Sequence, residues 1–343
     1  LRPLLYDGLL PLSYEPKSIF SKTFFRSKTM TNPSFLHVVF GSGPLGLSVV
    51  DELAAQGHSV RVVSRSGKAD VPPGVEVMKA DAYDPAQAEQ ACKGASFVYQ
   101  CAQPPYHQWV EKFFPLQNNI LEASAKAGAR LIIGENLYMY GEVDGPIHEE
   151  MPYAATTRKG QLRARMASAA MEAHQKGRLP VVIGRASDFF GPRVLSSTLG
   201  ERVFVPALQG KTASFTGSLD LPHSFTYIKD FGKALVRLAL EEQSYGQVWH
   251  VPTAPALTQR EIGELIFEIL GQPAKMNGMG RIMMAIGGLF IPEARESVEM
   301  MYQFEKPFVV DSSKFTRTFG QTATPMREAL VETINWYRLY LAR

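Results

Sequence analysis

From Leu36 onward, short β-branched runs alternate with stretches whose apolar residues recur every three or four positions. The runs are LHVVF, SVRVVS, VEVMKA, ASFVYQC, ARLIIGEN and LPVVIGR. Between them lie helical patterns through LGLSVVDELAAQG, near Asp84–Cys92, from about Trp109 to Lys126, and near Lys159–Gln175. Strand and helix in strict alternation predict βαβ units, and hence a doubly wound α/β domain with helices on both faces of a parallel sheet. After Arg185 the alternation lapses into segments punctuated by glycine and proline, then a helix-rich tail. This predicts a smaller C-terminal lobe over the carboxyl ends of the strands, where open α/β sheets place their ligands.

The turn after the first run reads VVFGSGPLG, which puts Gly41, Gly43 and Gly46 in a G-x-G-x-x-G spacing between a strand and a helix. Gly41 permits a tight turn, Gly43 lets a pyrophosphate approach the backbone, and Gly46 lets helix and strand pack closely, with Pro44 and Leu45 opening the helix. The expectation is a Rossmann-type dinucleotide site. The second strand ends in Ser64 and Arg65, where an acid would hold the ribose hydroxyls of NAD. A guanidinium there favours the 2′-phosphate of NADP, with NAD left open; a solvated surface arginine is the alternative. Asp81, after the third run, either accepts from the adenine amino group or opens a turn or caps the next helix. The expected division is a flexible leader over 1–33, a dinucleotide-binding core over 34–186, and a mainly substrate-binding lobe over 187–343. About 224–251 is expected to return to the Rossmann sheet.

Composition narrows the class. With 343 residues, 45% hydrophobic and 20% charged, the chain can bury a substantial core. Its net charge of +3 matches the excess of Arg2, Lys17, Lys22, Arg26 and Lys28 over Asp7 and Glu15, so the remainder is neutral. Neither a nucleic acid nor an anionic membrane is an expected partner; a small-molecule substrate is, and a homodimer stays open. Cys92 and Cys101 have no metal-ligand or disulfide spacing, so no metal is expected and a reducing cytoplasm fits. Met30, before the first run, is read as the working start of the chain, with a transit peptide as the alternative reading of the leader. The apolar stretch Arg281–Pro292 is too short to span a bilayer, and its Met283, Met284, Leu289 and Phe290 are read as pocket wall.

These features together resemble the extended short-chain dehydrogenase/reductase superfamily, of the NAD-dependent epimerase/dehydratase type. VYQCAQ, with Cys101 and Ala102 beside the cofactor, is similar to its fourth-strand segment, GRASDFFGP to its sixth-strand signature, and HSFTYIKDFGKALVRLALE to the segment before its late helix. ALTQREIGELIFEILG, DSSKFTRTFG and PMREALVETINWYRLYL resemble its C-terminal lobe. The resemblance implies a Ser/Thr at the fifth strand's end and a Tyr-x-x-x-Lys on the next helix, with tyrosine as acid/base. That pair is missing. Asn136 stands near the serine position. Lys159 or Gly160 takes the place of the tyrosine, and Arg163 or Ala164 that of the lysine.

If GENLYMYG continues extended, Asn136, Tyr138 and Tyr140 share a face aimed at the nicotinamide. Tyr138 is then the candidate proton donor and Asn136 positions the carbonyl; the alternative has Tyr138 packing in the wall, with Tyr140 a structural tyrosine. Lys159 and Arg163, four residues apart, either hold ribose hydroxyls and acidify a phenol or lie on a solvated face with Arg158 and Arg165. His223 stands where nucleotide-sugar epimerases place a phosphate-binding arginine, and serves either proton transfer or structure. The expected activity is NADPH-dependent reduction or isomerisation of a small apolar carbonyl compound. The rivals are a non-catalytic NAD(P) redox sensor and a nucleotide-sugar epimerase.

Overall fold

The computed structural model describes residues 35–342 except 288, 290 and 291, with backbone alone at 292–294. The expectations for the leader, for Met30 and for Phe290 lie outside the described residues. Strand β1 (Leu36–Phe40) leads into α1 (Pro44–Ala55), β2 (Ser59–Ser64), β3 (Glu76–Lys79), α2 (Pro85–Cys92) and β4 (Ala95–Gln100). Then come α3 (Trp109–Ala127), β5 (Arg130–Glu135), α4 (Arg158–Gln175) and β6 (Val181–Arg185).

These strands, joined by the late β11 (Val248–His250), form a seven-stranded sheet of order β11-β6-β5-β4-β1-β2-β3. Every neighbouring pair is parallel, so the doubly wound α/β architecture stands as the alternation predicts. Side chains alternate across the sheet. Val38, Phe40, Leu131 and Ile133 pack with α3 and α4 on one face, and Val39, Val62, Ile132 and Val182 pack with α1 on the other. The chain leaves β1 in opposite directions toward β2 and β4, which opens a crevice at the carboxyl ends of β1 and β4.

Beyond β6 follow β7 (Asp188–Phe190), α5 (Glu201–Leu208), β8 (Ala213–Thr216), β9 (Pro222–His223), β10 (Phe225–Tyr227), α6 (Ile228–Leu240) and β11 (Val248–His250). Next are β12 (Leu257–Thr258), α7 (Gln259–Leu270), β13 (Met276–Met279), α8 (Arg281–Gly287), α9 (Pro292–Ser297), α10 (Ser313–Phe319) and α11 (Met326–Leu341). Strand β11 joins the main sheet beside β6, with Val248 opposite Ile183. Leu235 and Ala239 of α6 cover the same sheet face as α1. A separate cluster around Phe204, Phe215, Phe267, Ile334 and Tyr337 forms a second core. Among the described residues no helix is long and apolar enough to cross a membrane.

Candidate functional site

The three glycines of the first turn meet three different constraints. Gly41 has φ +108°, and a Cβ there would stand 2.8 Å from the Ala102 nitrogen and 2.9 Å from the Cys101 carbonyl carbon. A Cβ on Gly46 would stand 1.9 Å from the Gly41 oxygen, whereas one on Gly43 would meet nothing within 4 Å among the described residues. Gly43 caps α1 without a side-chain acceptor, and Pro44 follows at the first helical position. The free N–H groups of that first turn therefore face open space at the positive end of the helix dipole, which suits a pyrophosphate. Leu45 lies beneath the turn, where a Cβ on Gly134 of β5 would come within 2.6 Å of its Cδ2. Burial pushes the Cys101 thiol up, so it stays protonated, and with Ala102 it forms the wall against which Gly41 packs.

At the ends of β2 and β3, Arg65 is exposed. The Ser64 hydroxyl donates to the Lys68 carbonyl at 3.1 Å and lies 3.4 Å from Ser66 Oγ, so it is engaged within its own loop. Asp81 Oδ1 accepts from Tyr83 N at 3.0 Å, and the Asp81 N–H is taken by Gln87 Oε1 at 2.9 Å. That carboxylate opens a turn; the cap of α2 is Asp84, which accepts from Ala86 and Gln87.

The shared face expected for Asn136, Tyr138 and Tyr140 does not form. Strand β5 stops at Glu135, and Tyr138–Tyr140 form a single 3₁₀ turn. The cause is local: Asn136 Oδ1 accepts from Tyr138 N at 3.3 Å, an Asx turn that competes with the strand ladder. The two tyrosines consequently part. Tyr140 turns into the interior, where Arg185 Nη1 donates to its oxygen at 2.7 Å and its hydroxyl lies 2.9 Å from His250 Nε2. Tyr138 turns toward α3, its ring 6.0 Å from that of Trp109. Burial raises its phenol well above the usual tyrosine range; Tyr106 and the Asp188 charge raise it further, and Arg163 opposes. At neutral pH Tyr138 is thus a protonated donor and not a base.

Two of the α4 cations, Lys159 and Arg163, point inward, whereas Arg158 and Arg165 stay on the exposed face. Thr157 caps the helix by accepting from Gly160 N at 3.2 Å. A Cβ on Gly160 would stand 2.7 Å from the Tyr138 carbonyl oxygen, so no side chain fits at that position. Lys159 is fully buried, 2.5 Å from Glu296 Oε2 and 2.9 Å from Glu299 Oε1, with Nζ 4.7 Å from the centre of the Tyr106 ring. Arg163 is 3% exposed and lies 4.9 Å and 4.5 Å from the ring centres of Trp109 and Phe113. Its Nε and Nη1 have no hydrogen-bond partner among the described residues. Two donors buried and unpaired near Tyr138 are a local cost of about 1–3 kcal/mol each, which an acceptor reaching them would offset. Arg165 sits over Phe114, and Arg158 stays two-thirds exposed.

His223 is buried and not free to meet a phosphate. Its Nε2 donates to Asp188 Oδ2 at 2.9 Å, and its ring is stacked between Phe304 at 4.6 Å and Phe308 at 5.0 Å. Of the residues read as pocket wall, Met284 is buried while Met283 and Leu289 are 53% and 78% exposed, and Met283 lines an open surface hollow with Ile282 and Ile286, away from Tyr138. Around Tyr138 stand the rings of Tyr106 and Trp109, with Tyr302 and Asp188 near enough to act on its phenol or be acted on by it, and Glu296 and Glu299 held on Lys159. Of these only Tyr138 was singled out by the sequence. Asp188 lies inside GRASDFFGP, a segment that carried a signal, while nothing local marks Glu296 or Glu299 as partners of Lys159.

Residues 38–251 match the model of the NAD dependent epimerase/dehydratase family. A dTDP-glucose 4,6-dehydratase from an Actinoplanes species is 24% identical over 208 residues, 58% of this chain and 57% of that enzyme, so the match spans little over half of the relative's length. Among solved structures, UDP-glucuronic acid 4-epimerase from Bacillus cereus in complex with NAD is similar at TM-score 0.73 and 16% identity, covering 89% of this chain and 99% of that one. A dTDP-glucose 4,6-dehydratase from Streptomyces venezuelae with NAD bound is similar at TM-score 0.72 and 18% identity, covering 90% and 98%.

Proposed function

Because the chain belongs to the NAD dependent epimerase/dehydratase family, we propose that it is an NAD(P)-dependent oxidoreductase acting on a small carbonyl compound with an apolar body. NADP is the preferred cofactor, through Arg65. The observation that carries this reading is the protonated phenol of Tyr138 near the unpaired donors of Arg163, just past the carboxyl end of β5. The turn Gly41–Gly46 would hold the pyrophosphate and Arg163 the nicotinamide ribose. When bound, the nicotinamide supplies the hydride. Tyr138 donates its proton to the carbonyl oxygen as charge develops there, and the Arg163 cation stabilises the phenolate left behind. Asn136, fixed by its Asx turn, stands beside Tyr138 to orient the carbonyl. Lys159, neutralised by two glutamates, takes no part in this step.

A nucleotide-sugar substrate, the class named for the similar enzymes, is the second reading, favoured by the coverage of nearly the whole described chain. Against it stands His223, locked between Asp188 and two phenylalanines where a phosphate would need a free cation. The test is a turnover screen of ketones, enones and aldehydes against UDP- and dTDP-hexoses, followed by NADPH absorbance and by product analysis. Turnover confined to the carbonyl panel supports the first reading. Turnover confined to the hexose nucleotides moves it to the second, and tight NADPH binding with no turnover on either panel favours the sensor.

A further inference from the structure

Tyr138 and Asp188 reach the site from neighbouring strands. In the β5–β6 register Glu135 stands opposite Arg185, and Ala186 N donates to the Glu135 carbonyl at 2.9 Å. Tyr138 follows Glu135 by three residues and Asp188 follows Arg185 by three, so both lie just past the carboxyl ends of adjacent parallel strands. Both are half-buried, neither sealed in the core nor free in solvent. The Asp188 carboxylate, 18% exposed, accepts from His223 Nε2 at 2.9 Å through Oδ2, while Oδ1 accepts no hydrogen bond among the described residues. His223 is itself fixed between the rings of Phe304 and Phe308, so it holds the carboxylate in one orientation. Among the described residues no lysine or arginine pairs with Asp188.

The reduction described above uses the Tyr138 proton and leaves Asp188 without a task. Burial raises the phenols of Tyr138, Tyr106 and Tyr302, and the Asp188 charge adds to each, so this carboxylate is near enough to act on all three. A carboxylate that helps to hold a phenol protonated ceases to do so once it takes up a proton itself. Proton uptake by Asp188 and proton release by Tyr138 therefore favour each other, and together they leave the net charge of the pair unchanged. We propose that the site also enolises its carbonyl compound without a cofactor, with Asp188 as the base for the carbon next to the carbonyl. Asp188 Oδ1 takes the α-proton, and the C–H electron pair becomes the C=C bond. The carbonyl π pair moves onto oxygen and takes the Tyr138 proton, leaving a phenolate that the Arg163 cation stabilises. The reverse steps restore the ketone with a solvent-derived proton on carbon, and nothing is oxidised or reduced. That a carbonyl compound binds beside Tyr138 rests on the function proposed above; the step itself needs no nicotinamide.

The test is α-proton exchange in D2O, followed by NMR, with the full chain, no cofactor, and cyclohexanone, 2-heptanone and acetophenone as probes. The same ketones are assayed in parallel for NADPH oxidation. The parent should exchange the α-protons of at least one ketone faster than buffer or heat-denatured chain does. Asp188→Asn keeps an oxygen for His223 Nε2 but removes the base, and should lose about 10² or more of that rate. Asp188→Glu, which returns a carboxylate, should recover part of it. Exchange in the parent no faster than in buffer, or equal exchange in the parent and Asp188→Asn, overturns the base. Where Asp188→Asn fails to fold, the parent's rate against buffer and the Asp188→Glu variant decide. Failure of the proposed function reads differently, as exchange with no NADPH oxidation on any probe, whereas NADPH oxidation without exchange keeps that function and removes the base.

Discussion

Gly46 lies so close to Gly41 that a Cβ on it would stand 1.9 Å from the Gly41 carbonyl oxygen, although the two open the same turn in which a Cβ on Gly43 would meet nothing within 4 Å among the described residues. The consequence is a separation of roles. Gly46→Ala forces backbone apart and should lower the melting temperature by several degrees or prevent folding, as overpacking costs of about 1–3 kcal/mol imply. Gly43→Val, at an extended residue with φ −81°, should melt within about a degree or two of the parent. Thermal melts of the two variants check this, and a Gly43→Val protein that melts as early as Gly46→Ala would show that the turn is packed on its outer side.

Arg65 is exposed at the end of β2, with Ser64 occupied by its own loop, and on the proposed reading the arginine would meet the 2′-phosphate of NADP. Arg65→Ala should weaken NADPH by on the order of 1.5–3 kcal/mol and leave NADH nearly unchanged. Fluorescence titration of both cofactors measures it. Equal affinities in the parent would remove the NADP preference.

His37 and His250 are both held neutral by burial. Each is pushed down to about 3; His58 adds to this at His37, and Arg185 adds to it at His250. His250 lies between the Tyr140 hydroxyl and the Asp311 carbonyl, and His37 Nδ1 lies 3.0 Å from Tyr99 OH. Below about pH 6.5 the unfolded chain gains a proton at each while the folded chain does not, so stability falls as pH drops from 6.5 toward 3. Each histidine contributes about 1.4 kcal/mol per pH unit in that window. Urea unfolding between pH 7 and 5 should show this slope reduced by about that amount in His37→Gln. An unchanged slope would mean that His37 titrates alike in both states.

The sheet and the dinucleotide turn were legible because both are set locally. Alternation marks strands, and three glycines at fixed offsets mark the turn, which folds with each glycine meeting a different steric demand. What remained hidden depends on contacts between distant segments. In the sequence Glu135 and Arg185 are only the ends of strand-like runs, yet the parallel register sets them opposite each other and makes a fully buried ion pair, Arg185 Nε to Glu135 Oε2 at 2.8 Å. Lys159 looked like one cation in a basic helix face; two glutamates some 140 residues later pull it inside. The shared tyrosine face failed for a local reason, since Asn136 carries an amide oxygen able to accept the Tyr138 N–H, and the strand ends at Glu135.

Tyr138→Phe keeps the ring beside Trp109 and removes only the hydroxyl. On any carbonyl compound that the parent turns over with NADPH, the variant should lose about 10² to 10⁴ in kcat, with NADPH affinity unchanged. Retained turnover would transfer the proton donor to a neighbour, with Tyr106, whose phenol shares a hydrogen bond with Tyr138, first among them.

All of this presupposes a dinucleotide on the glycine turn, and the direct test is an isothermal titration of NADPH and NADH into the parent chain and into Gly43→Val. The predicted result is one-site binding to the parent and a loss of at least about a hundredfold in the variant, because a side chain at Gly43 fills the approach of the pyrophosphate to the first turn of α1. Absence of binding to the parent, or equal affinity in the two proteins, would contradict it.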